Sequence, residues 1–309
     1  MSSEHPLPNS YSQLSLGGIR FAHHPASSPT VTPIVLVQLH RPPSRNAFTH
    51  EMGQSLVTAF NLLSADDRVR VVILTSSDES NKMFCVGMDL KEGGPAGPSL
   101  EGPRANTDYR DMGGRVSLAI YRCNKPVIAA INGTAVGIGI TMTLPATIRI
   151  ASRDAKIGFV FARRGFTMEA CSSFFLPRLI GASRALHLTS VATPYPASHD
   201  LLKHLFSQVV APDQVLPCAL AIAEDMIANV SLVAASLIKD MIYRAPASPE
   251  EAHLLESKLF LSLFLSQDAQ EGRESFLQKR KPDFKGTMAD APASYPWWAP
   301  VDVKPKSHL

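Results

Sequence analysis

Apolar positions along the chain fall into two textures. Residues 34–39, 69–74 and 126–131 are short, nearly continuous apolar runs rich in β-branched side chains, the pattern of strands covered on both faces. Between them the spacing becomes helical. A helix is expected over residues 49–64, with Thr49 as its cap and Met52, Leu56, Ala59, Phe60 and Leu63 on its buried face. A second is expected over 108–121. A first strand is expected near 13–22, with further short strands over 149–151 and 157–161. Strand, turn and helix recur in that order, which specifies an α/β architecture with parallel pairing. Beyond Ser198 the pattern is mainly helical: residues 212–229, 231–243, 248–265 and 267–279 each carry an apolar stripe. The expected organisation is a flexible N-terminus over 1–11, an α/β core over 12–198, a helical region over 199–285 that packs on the core or on a neighbouring subunit, and a tail over 286–309.

Two small-residue turns interrupt this pattern. One is Phe84-Cys85-Val86-Gly87-Met88-Asp89-Leu90, the other Asn132-Gly133-Thr134-Ala135-Val136-Gly137-Ile138-Gly139-Ile140-Thr141. Glycine where a strand hands over to a helix lets bare backbone approach a ligand, with N–H groups aimed outward. Two such turns acting on one oxygen would form an oxyanion hole, suited to an enolate or a tetrahedral anion. The alternative is that these glycines serve only close helix–sheet packing. Neither turn has the Gly-Lys-Ser/Thr ending or the third glycine of the nucleotide-binding loops, which argues against both. The loop over residues 91–104, full of Gly and Pro, is placed to cover the site.

A carboxylate supplies the second clue. Glu169 is the only acidic residue between Asp154 and Asp200, and its neighbours are apolar or small. Burial there would raise its pKa and suit it to shuttle protons near neutral pH. An exposed glutamate at a helix start is the equal alternative. No His/Glu metal spacing and no Gly-x-Ser-x-Gly elbow occurs, so no metal is expected. His187 and His204 read as surface or core-edge residues, and Cys85 as a small buried hydrophobe.

Composition narrows the classes. Apolar residues make up 45% and charged residues 18%, with a formal charge of +3. That balance, with scattered basic residues, does not suit a nucleic-acid partner. The run over 127–150 is broken by Asn132, glycines, Pro145 and Arg149, so no membrane span is expected. The four cysteines show neither metal-ligand nor disulfide spacing, which fits a reducing compartment. No basic segment followed by an apolar core opens the chain, and no secretory signal is expected. The final Ser307-His308-Leu309 is a variant of the Ser-Lys-Leu peroxisomal address, so peroxisomal localisation and an import receptor are expected.

Together these motifs resemble the crotonase (enoyl-CoA hydratase/isomerase) superfamily. The pieces are Arg45-Asn46-Ala47, Val71-Val72-Ile73-Leu74-Thr75, the first glycine turn, Lys125-Pro126-Val127-Ile128-Ala129-Ala130-Ile131-Asn132-Gly133 and Phe276-Leu277-Gln278-Lys279-Arg280-Lys281-Pro282, in family order over about residues 12–285. The resemblance implies a core of repeated ββα units, a helical C-terminal region, and a homotrimer or hexamer. It implies an acyl-CoA thioester substrate, with CoA carried as part of the substrate and no separate cofactor. The backbone N–H groups of Met88 and Ile138 would hold the thioester oxygen. Arg45, Ala47, Gly87, Asp89 and Leu90 would line the CoA site, and Phe276 and Lys279 would cover its adenine end. Hydratases of the family use two glutamates; Thr141 and Phe161 stand at the matching positions here. Glu169 instead matches the single catalytic glutamate of peroxisomal Δ3-Δ2-enoyl-CoA isomerases. The expected activity is therefore a shift of a 3-enoyl-CoA double bond, with hydration or dehydration of an enoyl-CoA, or non-catalytic acyl-CoA binding, as alternatives.

Overall fold

The structure, a computed structural model, describes residues 6–92 and 109–298. Most of the expected covering loop and the Ser307-His308-Leu309 terminus lie outside these residues.

Six strands form the larger sheet: β1 (Ile19–His24), β2 (Ile34–Leu39), β3 (Val71–Ser76), β5 (Val127–Ile131), β7 (Ile148–Ser152) and β10 (Gln208–Val210), in that order. Only β1 runs antiparallel to its neighbour. The smaller sheet holds β4 (Met83–Cys85), β6 (Thr134–Val136), β8 (Lys156–Gly158) and β9 (Tyr195–Pro196), with β9 antiparallel. Three successive strand pairs, β3–β4, β5–β6 and β7–β8, each place one strand in each sheet. This is the ββα repeat.

The continuous apolar runs have the reason expected of them. Successive residues point to opposite faces, and both faces of the large sheet are covered. Val35, Val37, Val72, Leu74, Ala129 and Ile131 face the main core. Leu36, Ile73, Ile128 and Ala130 face helix α6 (Val215–Asn229) through its Ala219 and Ala223.

Helix α1 (His50–Ala65) begins where Thr49 accepts from the Met52 N–H at 3.1 Å, and its five predicted core residues are all fully buried. Helix α2 (Met112–Arg122) begins four residues later than expected, capped by Asp111, which accepts from the Gly114 N–H at 2.7 Å. The sequence also suggests a helix from the second glycine turn to about Pro145; the structure has a single turn there, α3 (Ile138–Thr141). Thr143 directs its hydroxyl at the carbonyl of Ile140, a local competition that favours turns over helix. Two helices follow, α4 (Ser172–Ile180) and α5 (Ala182–Val191).

The first strand begins at Ile19 rather than near 13, and Tyr11 is fully buried, its hydroxyl donating to Asp66 at 3.1 Å and its N–H to His23 at 3.2 Å. The fixed part of the chain therefore starts before residue 12. The C-terminal helices α7 (Leu232–Tyr243), α8 (Pro249–Phe264) and α9 (Gln267–Leu277) follow the expected stripes. From α7, the Lys239 ammonium donates to the carbonyls of Tyr121 (3.0 Å) and Cys123, and Ser236 donates to that of Asn124, so α7 grips the C-terminal end of α2. The tail folds back on α7: Tyr295 donates to Asp240 at 2.8 Å, and the Arg244 guanidinium lies between the rings of Tyr121 and Trp298.

Candidate active site

Parallel pairing of β4 with β6 brings the two glycine turns together, because parallel neighbours end on the same edge. Gly87 (φ +99°) and Gly137 (φ +55°) both take conformations that favour glycine. A Cβ on Gly137 would lie 3.9 Å from the Gly87 Cα, and one on Gly87 would lie 3.1 Å from the Val136 carbonyl oxygen. Close packing is also real: a Cβ on Gly139 would come within 2.3 Å of the Cys85 carbonyl oxygen, so α3 rests directly on the β4 backbone. Close packing thus accounts for Gly139, while Gly87 and Gly137 are required by their backbone conformation.

Beyond Gly87 the chain bridges to Phe48, which donates to the Gly87 carbonyl and accepts from the Asp89 N–H, each at 2.8 Å. The Met88 N–H between them, and the Ile138 N–H at the first position of α3, have no backbone acceptor among the described residues. Ile138 itself is buried.

The surroundings of Glu169 are those of a partly buried carboxyl group. Glu169 precedes α4 by three residues, and Ala170 (φ +53°) and Cys171 (φ +57°) form a left-handed pair that is costly for residues with a Cβ. That bend leaves Glu169 partly buried rather than exposed on a helix start. Thr141 donates to its Oε1 at 2.5 Å. Burial, opposed by that hydrogen bond and reinforced by the nearby Asp111 charge, raises its pKa from 4.5 to about 7. Its Oε2 faces Gly113 of α2: a Cβ there would meet Oε2 at 2.4 Å, the Ile138 Cδ1 at 2.8 Å and the Asp111 Oδ1 at 3.0 Å. Glu169, Ile138 and Asp111 therefore converge on one point, and the missing side chain of Gly113 makes room for the carboxyl group.

The other expected site residues divide. Asp89 is paired with Arg41 at 3.1 Å, and that guanidinium holds its carboxyl below the usual range. Arg41 also donates to the Ala47 carbonyl at 2.6 Å, tying the Arg45–Ala47 turn to the first glycine turn. Within that turn Arg45 and Asn46 both have positive φ. Asn46 is buried, accepting from the Arg41 N–H and donating to the Phe84 carbonyl. Ala47 is buried, while Arg45 and Leu90 are exposed. Phe276 and Lys279 are also exposed, at the end of α9, whose side-chain hydrogen bonds run to Ser231, Phe264 and residues 280–286 rather than to the glycine turns.

Sequence reasoning missed Asp111 and Gly113. The one available signal was the Gly113-Gly114 pair inside a helical pattern, which costs helix stability and marks a close approach. Among the described residues, no group of three or more His, Cys, Asp or Glu side chains is disposed to hold a metal ion.

Residues 30–287 match the family model described as enoyl-CoA hydratase/isomerase. An enoyl-CoA hydratase of Alternaria alternata is 48% identical over 264 residues, spanning 85% of this chain and 86% of its own. A 1,2-epoxyphenylacetyl-CoA isomerase of Escherichia coli is 30% identical, over 82% and 95% respectively. The crystal structure of a probable enoyl-CoA hydratase/isomerase from Mycobacterium abscessus superposes with a TM-score of 0.74 at 32% identity, covering 82% of this chain and 96% of that one.

Proposed function

The chain belongs to the enoyl-CoA hydratase/isomerase family, and on that premise we propose that it moves the double bond of a 3-enoyl-CoA to the 2-position. The observation that carries this reading is Glu169: a carboxyl group raised to about 7, beside Ile138 and the paired glycine turns. A group with that pKa both takes and returns a proton near neutral pH. In the proposed cycle the N–H groups of Met88 and Ile138 donate to the thioester oxygen. Glu169 removes a proton from C2, leaving a dienolate whose negative charge rests on that oxygen. It then delivers the proton to C4, and the double bond ends between C2 and C3. One base serves both steps, because C2 and C4 present the same face of a flat intermediate. Water takes no part, in keeping with Thr141 and Phe161 at the positions where hydratases carry glutamates.

Hydration is the second reading. It is favoured by the name of the 48% identical relative and by Asp111, a second carboxylate close to Glu169. Mass spectrometry of products from 3-enoyl- and 2-enoyl-CoA substrates separates the two, since only hydration adds 18 mass units, those of one water molecule. In the isomerase reading, Glu169→Gln folds, binds acyl-CoA and loses turnover by about 10²- to 10⁴-fold. Near-normal turnover would remove Glu169 from this role.

Three further proposals accompany this one. Arg45, Ala47, Gly87, Asp89 and Leu90 line the CoA path, with Phe276 and Lys279 reaching the adenine end of the same or an adjacent subunit. The protein assembles as a trimer or a pair of trimers, in support of which α8 and α9 carry exposed Leu254, Phe260, Leu261, Leu265, Phe276 and Leu277. Its destination is the peroxisome, through recognition of Ser307-His308-Leu309 by an import receptor; a fluorescent fusion that stays cytosolic with the tripeptide intact would refute this.

A further inference from the structure

Thr141 is completely buried, and its single hydroxyl hydrogen has two acceptors within reach: the Glu169 Oε1 at 2.5 Å and the Gly137 carbonyl oxygen at 3.2 Å. The Gly137 carbonyl already accepts from the N–H groups of Ile140 and Thr141, both at 3.0 Å, so it is the poorer partner while Glu169 is charged. Once Glu169 carries a proton, that proton stays available to the substrate only on Oε2; Oε1 keeps its lone pairs and goes on accepting from Thr141.

We propose that Thr141 is a positioning residue that donates to the Glu169 Oε1 in both states of the carboxyl group, so that Oε2 is the oxygen that takes the proton from C2 and returns it to C4. This inference rests on the isomerase reading, in which Glu169 alternates between the two states. No bond to carbon changes at Thr141. Glu169 thereby keeps one orientation, with Oε2 over Gly113, both when it receives the proton and when it returns it.

The charged and titratable groups facing Glu169 are the Asp111 carboxylate at the start of α2, the Cys85 thiol of β4 and the Cys171 thiol two residues on. Burial raises both thiols, Cys85 to about 12, which keeps them neutral in the working range. Asp111 and the Thr141 hydroxyl remain as the local influences on the charge of Glu169.

The test is the pH dependence of kcat and kcat/KM for 3-enoyl-CoA isomerisation by the full-length protein and its Thr141→Val, Thr141→Ser and Thr143→Val variants. Thr141→Val is expected to lower kcat by about tenfold to a hundredfold with KM changed less than about threefold. It is also expected to move the acid limb to higher pH, because the carboxylate loses a donor. Thr141→Ser restores both. Thr143→Val, which removes a hydroxyl bonded only to the Ile140 carbonyl, leaves the limb in place. Thr141→Ala repeats the measurement should the extra valine methyl disturb folding. An unmoved limb and kcat in a folded hydroxyl-less variant, with Glu169→Gln inactive, would overturn this inference while leaving the isomerase reading intact. An active Glu169→Gln would overturn both.

Discussion

The paired glycine turns and the helical arm of α8 and α9 are built on opposite terms. At the turns, backbone meets backbone so closely that three glycines have no room for a methyl group or sit at φ values that disfavour one. On the arm, long apolar side chains stand uncovered, Phe260 at 70% and Leu265 at 77% exposure. The first region is complete within one chain and relies on main-chain atoms, so it tolerates varied side chains but few added atoms. The second leaves its apolar surface open to solvent in the single chain, which is why the proposed assembly is drawn from it.

Gly113→Ala strikes the first region hardest. The new Cβ would fall 2.4 Å from the Glu169 Oε2, and a flexible side chain yields before a helix does. Activity should drop about a hundredfold, while thermal stability holds or rises because alanine is the better helix former. Loss of stability with activity retained would show that the carboxyl group does not need this gap. Glu169→Gln probes the electrostatic cost of the same place. The unfolded carboxyl titrates near the ordinary 4.5 and the folded one near 7, so its contribution to stability is greatest below about pH 4.5 and is lost as pH rises through 7. The glutamine variant should therefore be more stable than the parent at pH 8, by about 3 kcal/mol, with little difference at pH 4. Melting curves at the two pH values decide it.

Two smaller effects belong to the C-terminal half. Tyr295→Phe removes the 2.8 Å bond to Asp240 and should cost about 1 kcal/mol in denaturant unfolding. Leu261→Asp should change the stability of an isolated chain by less than about 0.5 kcal/mol, because the side chain is already in water. Its effect should fall on assembly, seen as a smaller mass in light scattering. An unchanged mass would separate this arm from the subunit interface.

Legibility in the sequence followed the range of the forces involved. Thr49 and the apolar face of α1 were readable because capping and helical periodicity act within a few residues. The buried strands were readable because both of their faces are apolar. The extent of α3 was not: Ile138, Ile140, Met142 and Leu144 are all buried, so hydrophobicity carries no period there to mark where the helix stops. The glycine turns and Glu169 stood out as local anomalies of composition. Asp111 did not, since its approach to Glu169, across 58 positions of chain, exists only after α2 packs against α3.

The grip of α7 on α2 has a mechanical consequence. Asp111 and Gly113 wall one side of the carboxyl group at the front of α2, and Lys239 and Ser236 hold the back of that helix and its exit. Eleven residues of α-helix make a stiff rod about 16 Å long. The contacts of α7 at one end of that rod therefore help fix where Asp111 stands at the other.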